Sequence, residues 1–454
     1  MKYYKLSWMM AAILICSLSF NACTDNDDNP SKSVITKPTN AFFTAEINKL
    51  IDANYPEVVA NGYAKLIIPK TMYNGDLFVF PANASSDMNH MVEAGYKAYV
   101  NGGSVRDAIL GKPSHDVDFS TNASIDQIVA TVPNAKAFNA FRNIWVVKAY
   151  HDGDIETDIA PIFAIFPELS GKANVPVLKN TDSPYSEDLL EDTYSRDFTF
   201  NSLYYDYANG DIIDYHGGLH DLRDGLVNTV VDADLKVSTD PRCILRGLRF
   251  AAKYNFKLGD AFDRALKAHA EASLATIDTY NSVYNMESGF NGGFALKYYD
   301  LLYNYKVAQF FWTSLKDRFG TSEYDNLVRG LLGELDRQGK ADMALPLAAI
   351  FWPRFAADIK AKENPTAADV KAIWEAIDKE NHDKYKFDYK DYTYIPQFIQ
   401  DVWYLQLQMA DSANQTADKA AEIRKAERFA DALRLLKARA AIDSSLSSLV
   451  EFWS

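Results

Sequence analysis

The stretch Tyr96–Thr121, YKAYVNGGSVRDAILGKPSHDVDFST, decides how the rest of the chain is read. Its pattern predicts a short strand, a Gly-Gly turn, a helix capped by Gly111, and a second strand that carries Asp-x-Asp. Residues two apart in a strand point to one face, so Asp116 and Asp118 present two carboxylates side by side, and a divalent cation between them relieves the repulsion. The turn Asn101-Gly102-Gly103-Ser104 lets the backbone approach a ligand closely, and the helix it opens turns free N–H groups toward an anion. Arg106, one turn into that helix, adds a charge-assisted contact to the same anion. Metal-binding carboxylates beside a phosphate cradle point to chemistry on a nucleotide.

Taken as one unit, GGSVRD, then LG, then HDVDFST resembles the signature GGxVRDxLLG followed by DxDxxT in the head domain of the bacterial poly(A) polymerase and CCA-adding tRNA nucleotidyltransferase superfamily. A second match, LEDTYSRDFTFNSLYYDYANGDIIDYHGGLHDLRDG from Leu190 to Gly225, is similar to EEDxxRRDFTINSLYY and DYxGGxxDLxxG of the same family. Its NSLYY form is closer to poly(A) polymerase than to the CCA-adding enzymes. A third, TDPRCILRGLRFAAKYNFKL from Thr239 to Leu258, resembles EDPxRxLRAxRFAAKLG. Looser likeness continues through IPQFIQDVWYLQLQM at Ile395–Met409, so the resemblance covers about Ile67 to Ile442.

The resemblance implies an α+β nucleotidyltransferase head with a small mixed β-sheet, followed by an all-helical neck and body. It implies a template-independent RNA nucleotidyltransferase, poly(A) polymerase-like, that adds AMP from ATP to an RNA 3′ end. Two Mg2+ ions held by Asp116 and Asp118 are expected, with help from Asp158 on a later strand whose Glu156 shares its face. Gly102, Gly103, Arg106, Arg196, Asn201, Asp240, Arg246 and Arg249 are the residues expected to position the nucleotide. Arg246 and Arg249, three apart on one helix, share a face and can reach one anion. Asp214 and the Gly217-Gly218 pair are expected to fix a turn.

Two departures stand out. Ser195 replaces the first arginine of the family's pair, leaving Arg196. In the motif assigned to reading the base edge, Asp240 is kept, Thr239 replaces the acid before it, Cys243 stands where the arginine belongs, and Arg242 comes one residue early. A helix turns by roughly 100° per residue, so Arg242 cannot take over from position 243 without a bend or a reach around the axis. CCA addition is a nearby alternative. A non-catalytic envelope lipoprotein that binds nucleotide, nucleic acid or a protein partner is the alternative from a different class.

The N-terminus has the pattern of a bacterial lipoprotein signal: Lys2 and Lys5, an apolar run from Trp8 to Leu18, and small residues before Cys23. Residues 1–22 are expected to be the signal peptide, with Cys23 the lipidated residue and the membrane reached through that lipid alone. The acidic, polar segment 23–40 is expected to be a flexible tether in the cell envelope. Residues 41–230 are assigned to the head with its helical lead-in, 231–300 to the neck and 301–454 to the body. A 48% hydrophobic content supports sizeable cores. The formal net charge of −14 confines any RNA site to a local basic patch, because affinity for RNA comes mainly from neutralising phosphates. Arg424, Lys425, Arg428, Arg434, Lys437 and Arg439 are expected on one last helix, and read better as an ordinary solvated face than as an RNA track. The basic C-terminal tail of the cytoplasmic enzymes is expected to be missing.

Overall fold

The computed structural model describes residues 41–112, 117–141, 144–151, 155–167, 169–172, 174–178, 183–388 and 391–454. The signal segment, Cys23, the tether and Asp116 lie outside the described residues.

Among them, eight strands form one mixed sheet. They are β1 (Leu66–Ile68), β2 (Tyr99–Asn101), β3 (Asp118–Thr121), β4 (Ala135–Phe141), β5 (Ile144–His151), β6 (Ile155–Pro161), β7 (Tyr204–Asp206) and β8 (Asp211–Asp214), in the spatial order β1-β8-β7-β2-β3-β6-β5-β4. Only the central neighbours β3 and β6 run parallel; the other pairs are antiparallel. Parallel neighbours need a crossover, which helix α4 and the β4–β5 hairpin supply.

The head helices are α1 (Ala45–Asn61), α2 (Ala82–Glu93), α3 (Gly103–Ile109), α4 (Ile125–Thr131), α5 (Leu189–Thr193) and α6 (Gly218–Asp224). Helix α4 starts at a capping box, with Ser124 accepting from the Gln127 N–H while the Gln127 side chain accepts from the Ser124 N–H.

Alternation along the strands separates two faces of the sheet. Val100, Phe119, Val147 and Ile159 are buried on one face, which packs helices α2 and α4. On this side His151 and the buried Asp87 of α2 pair at 2.8 Å. The alternate positions Asn101, Asp118, Ser120, Lys148, Asp158 and Tyr204 occupy the other face. One face therefore makes the core and the other carries the polar chemistry.

After the head come α7 (Ala233–Thr239) and α8 (Arg242–Tyr254), then further helices to the C-terminus. The chain divides into two compact units. One holds described residues 41–243 and Tyr254–His269; the other holds Ile244–Lys253 and Ala270–Ser454. The segment read as a neck is thus shared out between them.

Within the second unit, Ala344–Ile359 is apolar nearly all round and buried along most of its length, as a central helix must be. Trp403 donates to the Ala348 carbonyl at 3.0 Å and stacks on Phe355 at 4.4 Å. Leu405 and Met409 are buried beside it in sequence, as their helical spacing predicts.

The basic C-terminal segment is not one helix. Turns at 424–428 divide Ala417–Ile423 from Phe429–Ala440. Several of its cations are tied to the fold. Arg424 donates to the Phe452 carbonyl at 2.6 Å, Arg434 donates to the Gly339 and Lys340 carbonyls at 2.7 and 3.0 Å, and Arg439 lies over Trp352 while bonding Gln406. Among the described residues, no helix is long and apolar enough to cross a membrane.

Candidate functional site

The Gly-Gly turn is where the sequence places it. Gly102 adopts φ 65° and ψ −130°, a conformation that side-chain-bearing residues strongly resist, and it delivers the chain into α3 at Gly103. Arg106 follows on α3 but does not project into solvent: it is 1% exposed. Its Nε and Nη2 donate to the two Asp107 oxygens at 2.9 and 3.0 Å, and its Nη1 donates to Asn201 Oδ1 at 2.6 Å. The guanidinium also lies over the Tyr254 ring, whose hydroxyl donates to Asp107. Asn201 is fixed in turn by donating to Asp197 at 2.9 Å. Asn201, expected to position the nucleotide, is here engaged with Arg106 and Asp197.

Asp118 and Asp158 face each other across the parallel pair β3–β6, in register. In a parallel pair, registered residues share a face, so two carboxylates from segments forty residues apart meet on the polar side. Glu156 lies two residues earlier on the same face of β6. The cavity in front of the strands is lined by Asn101, Asp118, Ser120, Asp158, Phe163 and Arg196, among others. Hard carboxylate oxygens of this kind suit Mg2+. The described residues contain no cluster of three or more candidate metal ligands; Asp116, expected to hold the metal with Asp118, falls outside them.

The residue the sequence reading missed is Lys148. It is the antiparallel partner of Asp158 on β5, and its ammonium lies 3.3 Å from Asp158 Oδ1 while also pairing with Glu156. Burial works against its charge, but the hydrogen bond it donates to Glu156 and the field of Asp158 outweigh it, so its pKa is raised. Lys136 on β4 is registered against Lys148 and completes a cross-strand row of two carboxylates and two ammoniums. Two lysines directly opposite repel. The conflict is resolved by divergence: Lys148 leans to the acids and Lys136 lies over the Tyr150 ring at 5.4 Å.

Arg196 sits deeper on the same face. It donates to Asp192 Oδ2 at 2.6 Å, to Asn101 Oδ1 at 3.0 Å and to Ser120 Oγ at 3.4 Å, and lies over Tyr204. Asp192 also accepts from the Tyr204 hydroxyl and the Phe163 N–H, at 2.6 and 2.8 Å. Burial opposes the arginine's charge, yet Tyr204 and Asp192 overcome it and hold the guanidinium firmly protonated. Burial likewise pushes the Tyr204 hydroxyl well up. Asp192 is the ion-pair partner of Arg196. The signal was present in the sequence as an acid four residues before the arginine at the turn of α5. Ser195, in place of an arginine, is buried and donates to the Asp192 carbonyl at 2.7 Å.

Below this, the expected turn is found. Asp214 accepts from the N–H groups of His216, Gly218 and Leu219 at 3.0, 3.0 and 2.8 Å. A Cβ on Gly218 would meet the Thr199 carbonyl oxygen at 2.3 Å, so glycine is obligatory there.

At the end of the first unit, Arg242 reaches back over the two-residue step to Asp240, Nε to Oδ1 at 2.9 Å and Nη2 to Oδ2 at 3.2 Å, with Lys236 at 3.3 Å from the same carboxylate. Buried Asp240 is nonetheless held far below the usual carboxylate range by these two cations. Asp240 precedes α8 and Arg242 is its first residue, so the pair forms before helical geometry constrains it. Cys243 is fully buried, and burial pushes its thiol well up. Arg246 and Arg249 belong to the second unit, where both lie against the Phe250 ring of their own helix.

A mixed sheet with registered carboxylates beside a Gly-Gly turn, followed by a helical body, is the nucleotidyltransferase-type fold that the resemblance implied. Residues 98–228 match the family described as the poly A polymerase head domain. The chain is homologous to bacterial poly(A) polymerase I and to CCA-adding enzymes. It is 26% identical over 419 residues to poly(A) polymerase I of Escherichia coli O6:H1, covering 85% of this chain and 84% of that one. It is 30% identical over 244 residues to the CCA-adding enzyme of Streptococcus pyogenes serotype M2, covering 51% of this chain and 58% of that enzyme. The same fold is found in the Bacillus stearothermophilus CCA-adding enzyme in complex with CTP, with a TM-score of 0.54 and 20% identity over 82% of this chain and 81% of that one. It recurs in the Thermotoga maritima CCA-adding enzyme complexed with tRNA, with a TM-score of 0.55 and 18% identity over 85% and 86%.

Proposed function

We propose that this chain is a template-independent RNA nucleotidyltransferase of the poly(A) polymerase kind, transferring AMP from ATP to an RNA 3′ end. The observation that carries the reading is the registered pair Asp118–Asp158, opening on a cavity that Asn101, the residue before the Gly102 turn, also lines. Homology to poly(A) polymerase I over most of both chains supports adenylate addition over CCA addition.

Divalent ions held by Asp118 and Asp158, together with Asp116, would lower the pKa of the attacking hydroxyl and neutralise charge on the triphosphate. The protein's own contribution is rigidity. Arg196, buried against Asp192, pins Asn101 and Ser120, which flank the carboxylates on β2 and β3. Arg106 and Asn201 lock the first turn of α3 to the segment after Asp197. Positioned dipoles and charges of this kind supply most of the catalysis in phosphoryl and nucleotidyl transfer, because they need no reorganisation during reaction. The Asp240–Arg242 pair is our candidate for reading the base, in place of the family's wider spacing. Cys23 is our candidate for lipid attachment in the cell envelope; labelling with a radioactive fatty acid, lost in Cys23→Ser, checks it.

The test of the activity is extension of a short RNA by the protein from Thr24 onward, with each of the four nucleoside triphosphates in Mg2+. Extension with ATP, lost in Asp118→Ala/Asp158→Ala, is the expected result. ATP binding without any extension would reduce the site to a nucleotide-binding module.

A further inference from the structure

Lys148 stands where a metal-binding pair of carboxylates least tolerates it. Its ammonium is 3.3 Å from Asp158 Oδ1, on the sheet face that Asp158 shares with Asp118. A positive charge so placed raises the local potential exactly where a divalent cation would settle, and the effect is appreciable because the site is only partly open to water: the Asp158 side chain is 16% exposed. Yet the same ammonium has a second carboxylate within reach. Glu156 is two residues before Asp158, on the same face, and is the more exposed of the two at 39%. Lys148 is the residue opposite Asp158, and Glu156 is its diagonal neighbour. One lysine therefore spans a more buried acid of the proposed metal pair and a more exposed acid outside that pair.

We infer that Lys148 is a positioning residue that sets how tightly the Asp118–Asp158 pair takes a divalent cation, with Glu156 as the acid that keeps the ammonium when the cation arrives. This rests on the metal-dependent reading of the site proposed above. Without a cation, Lys148 bridges both acids and offsets the repulsion between the registered carboxylates. When the cation enters, Lys148 gives up Asp158 and stays with Glu156, a shift of a side chain on a fixed strand. The neighbouring Lys136 does not take part, since its charge lies over Tyr150.

The two partners should then act with opposite signs. Removing the ammonium in Lys148→Met takes away the competitor, and Mn2+ binding to the nucleotide-free protein should tighten by about tenfold. Removing the alternative acid in Glu156→Gln leaves Lys148 to Asp158 alone, and binding should weaken by about threefold. Lys148→Arg keeps the charge and should bind as the unaltered protein does. Binding is read by the electron paramagnetic resonance signal of free Mn2+, on the protein from Thr24 onward. A variant that has merely lost structure binds less metal, so tightening in Lys148→Met cannot come from misfolding.

The double variant isolates the route. If Glu156 works through Lys148, Glu156→Gln has no further effect once Lys148 is Met. An unchanged threefold loss in that background means Glu156 acts through its own charge and overturns its assigned part. Unaltered or weaker Mn2+ binding in Lys148→Met overturns the role of Lys148, while loss of binding in Asp118→Asn leaves the metal site standing. Mn2+ binding that Asp118→Asn does not reduce overturns both the metal reading and this one.

Discussion

Arg196 and Asp192 are almost fully buried and bonded on nearly every side, whereas Asp118, Asp158 and Lys148 lie on the same sheet face in partial contact with solvent. Both groups carry motif residues: by sequence alone Arg196 reads as a contact to the nucleotide, and Asp118 and Asp158 as metal ligands. The difference in burial separates their work. A buried pair is costly to break, because the charge left behind cannot be solvated. An open pair of like charges costs stability by existing, and is kept for what it binds. Substitutions in the closed group should therefore be seen first in stability, and substitutions in the open group first in activity.

The largest effect expected is in the closed group. Asp192→Asn removes the carboxylate that serves Arg196, Tyr204 and the Phe163 N–H together, and should cost about 3–5 kcal/mol in urea unfolding. Arg196→Lys should not restore it, because an ammonium cannot reproduce the fork that meets Asp192, Asn101 and Ser120 at once. If Asp192→Asn unfolds with the stability of the unaltered protein, the two groups do not differ as argued. In the open group, Asp118→Asn should lower the rate of nucleotide addition by about 10²–10³-fold. The same change relieves repulsion with Asp158, so the melting temperature should stay level or rise. A melting temperature that falls with the rate would place Asp118 in the closed group.

A third buried site sharpens the contrast through pH. His216 donates from Nδ1 to the Gly62 carbonyl, and its Nε2 lies 2.7 Å from the Thr193 hydroxyl, which itself donates to the Leu190 carbonyl at 2.6 Å. Burial pushes its pKa from 6.5 down to about 4, although the Gly62 carbonyl acts the other way. The unfolded chain takes the proton first, so this group removes stability as pH falls from 6.5 toward 4. Asp214, two residues before it, works oppositely: burial pushes it from 3.8 up to about 6, against its three N–H donors. Here the folded state takes the proton first, so stability grows as pH falls through 6 and levels off below 3.8. Each is worth at most about 3 kcal/mol, and together they nearly cancel. Melting temperatures of Asp214→Asn should thus fall steeply between pH 6.5 and 4, and those of His216→Gln should rise over the same range. Parallel profiles for both variants would show that neither group titrates as its burial dictates.

What could be read from the sequence follows the same division. The Gly-Gly turn, the strand carrying Asp118, the strand carrying Asp158 and the turn at Asp214 were legible, because local pattern and backbone chemistry fix them. Strand β4 was not: AKAFNAF has too little alternation in polarity to stand out, and it is held by its hairpin with β5. Lys148 was invisible for a related reason. Its meaning depends on register between β5 and β6, which no local spacing encodes, and a lysine on an edge-side strand otherwise reads as a solvated charge. The partner of Arg196 was not legible either, since only the turn of α5 brings Asp192 to the guanidinium.

Position 243 gives the smallest effect and the finest test of the contrast. Reverting Cys243 to arginine would follow the family pattern, but the site is closed: Cys243 is fully buried, its Sγ lies 3.8 Å from the Lys236 carbonyl, and Asp240 already holds Arg242 and Lys236. A guanidinium added there would be a buried charge without a partner, so its effect on base choice could not be separated from its effect on folding. Cys243→Ala is the informative change. It should cost about 1 kcal/mol in urea unfolding and leave the preference for ATP over CTP as it was. Arg242→Gln should instead alter that preference, since it releases Asp240 from its bidentate partner. Competition between labelled ATP and CTP in RNA extension measures both. A shift in Cys243→Ala as large as that in Arg242→Gln would return base reading to position 243, and the early arginine would then be only the clamp that holds Asp240 ionised.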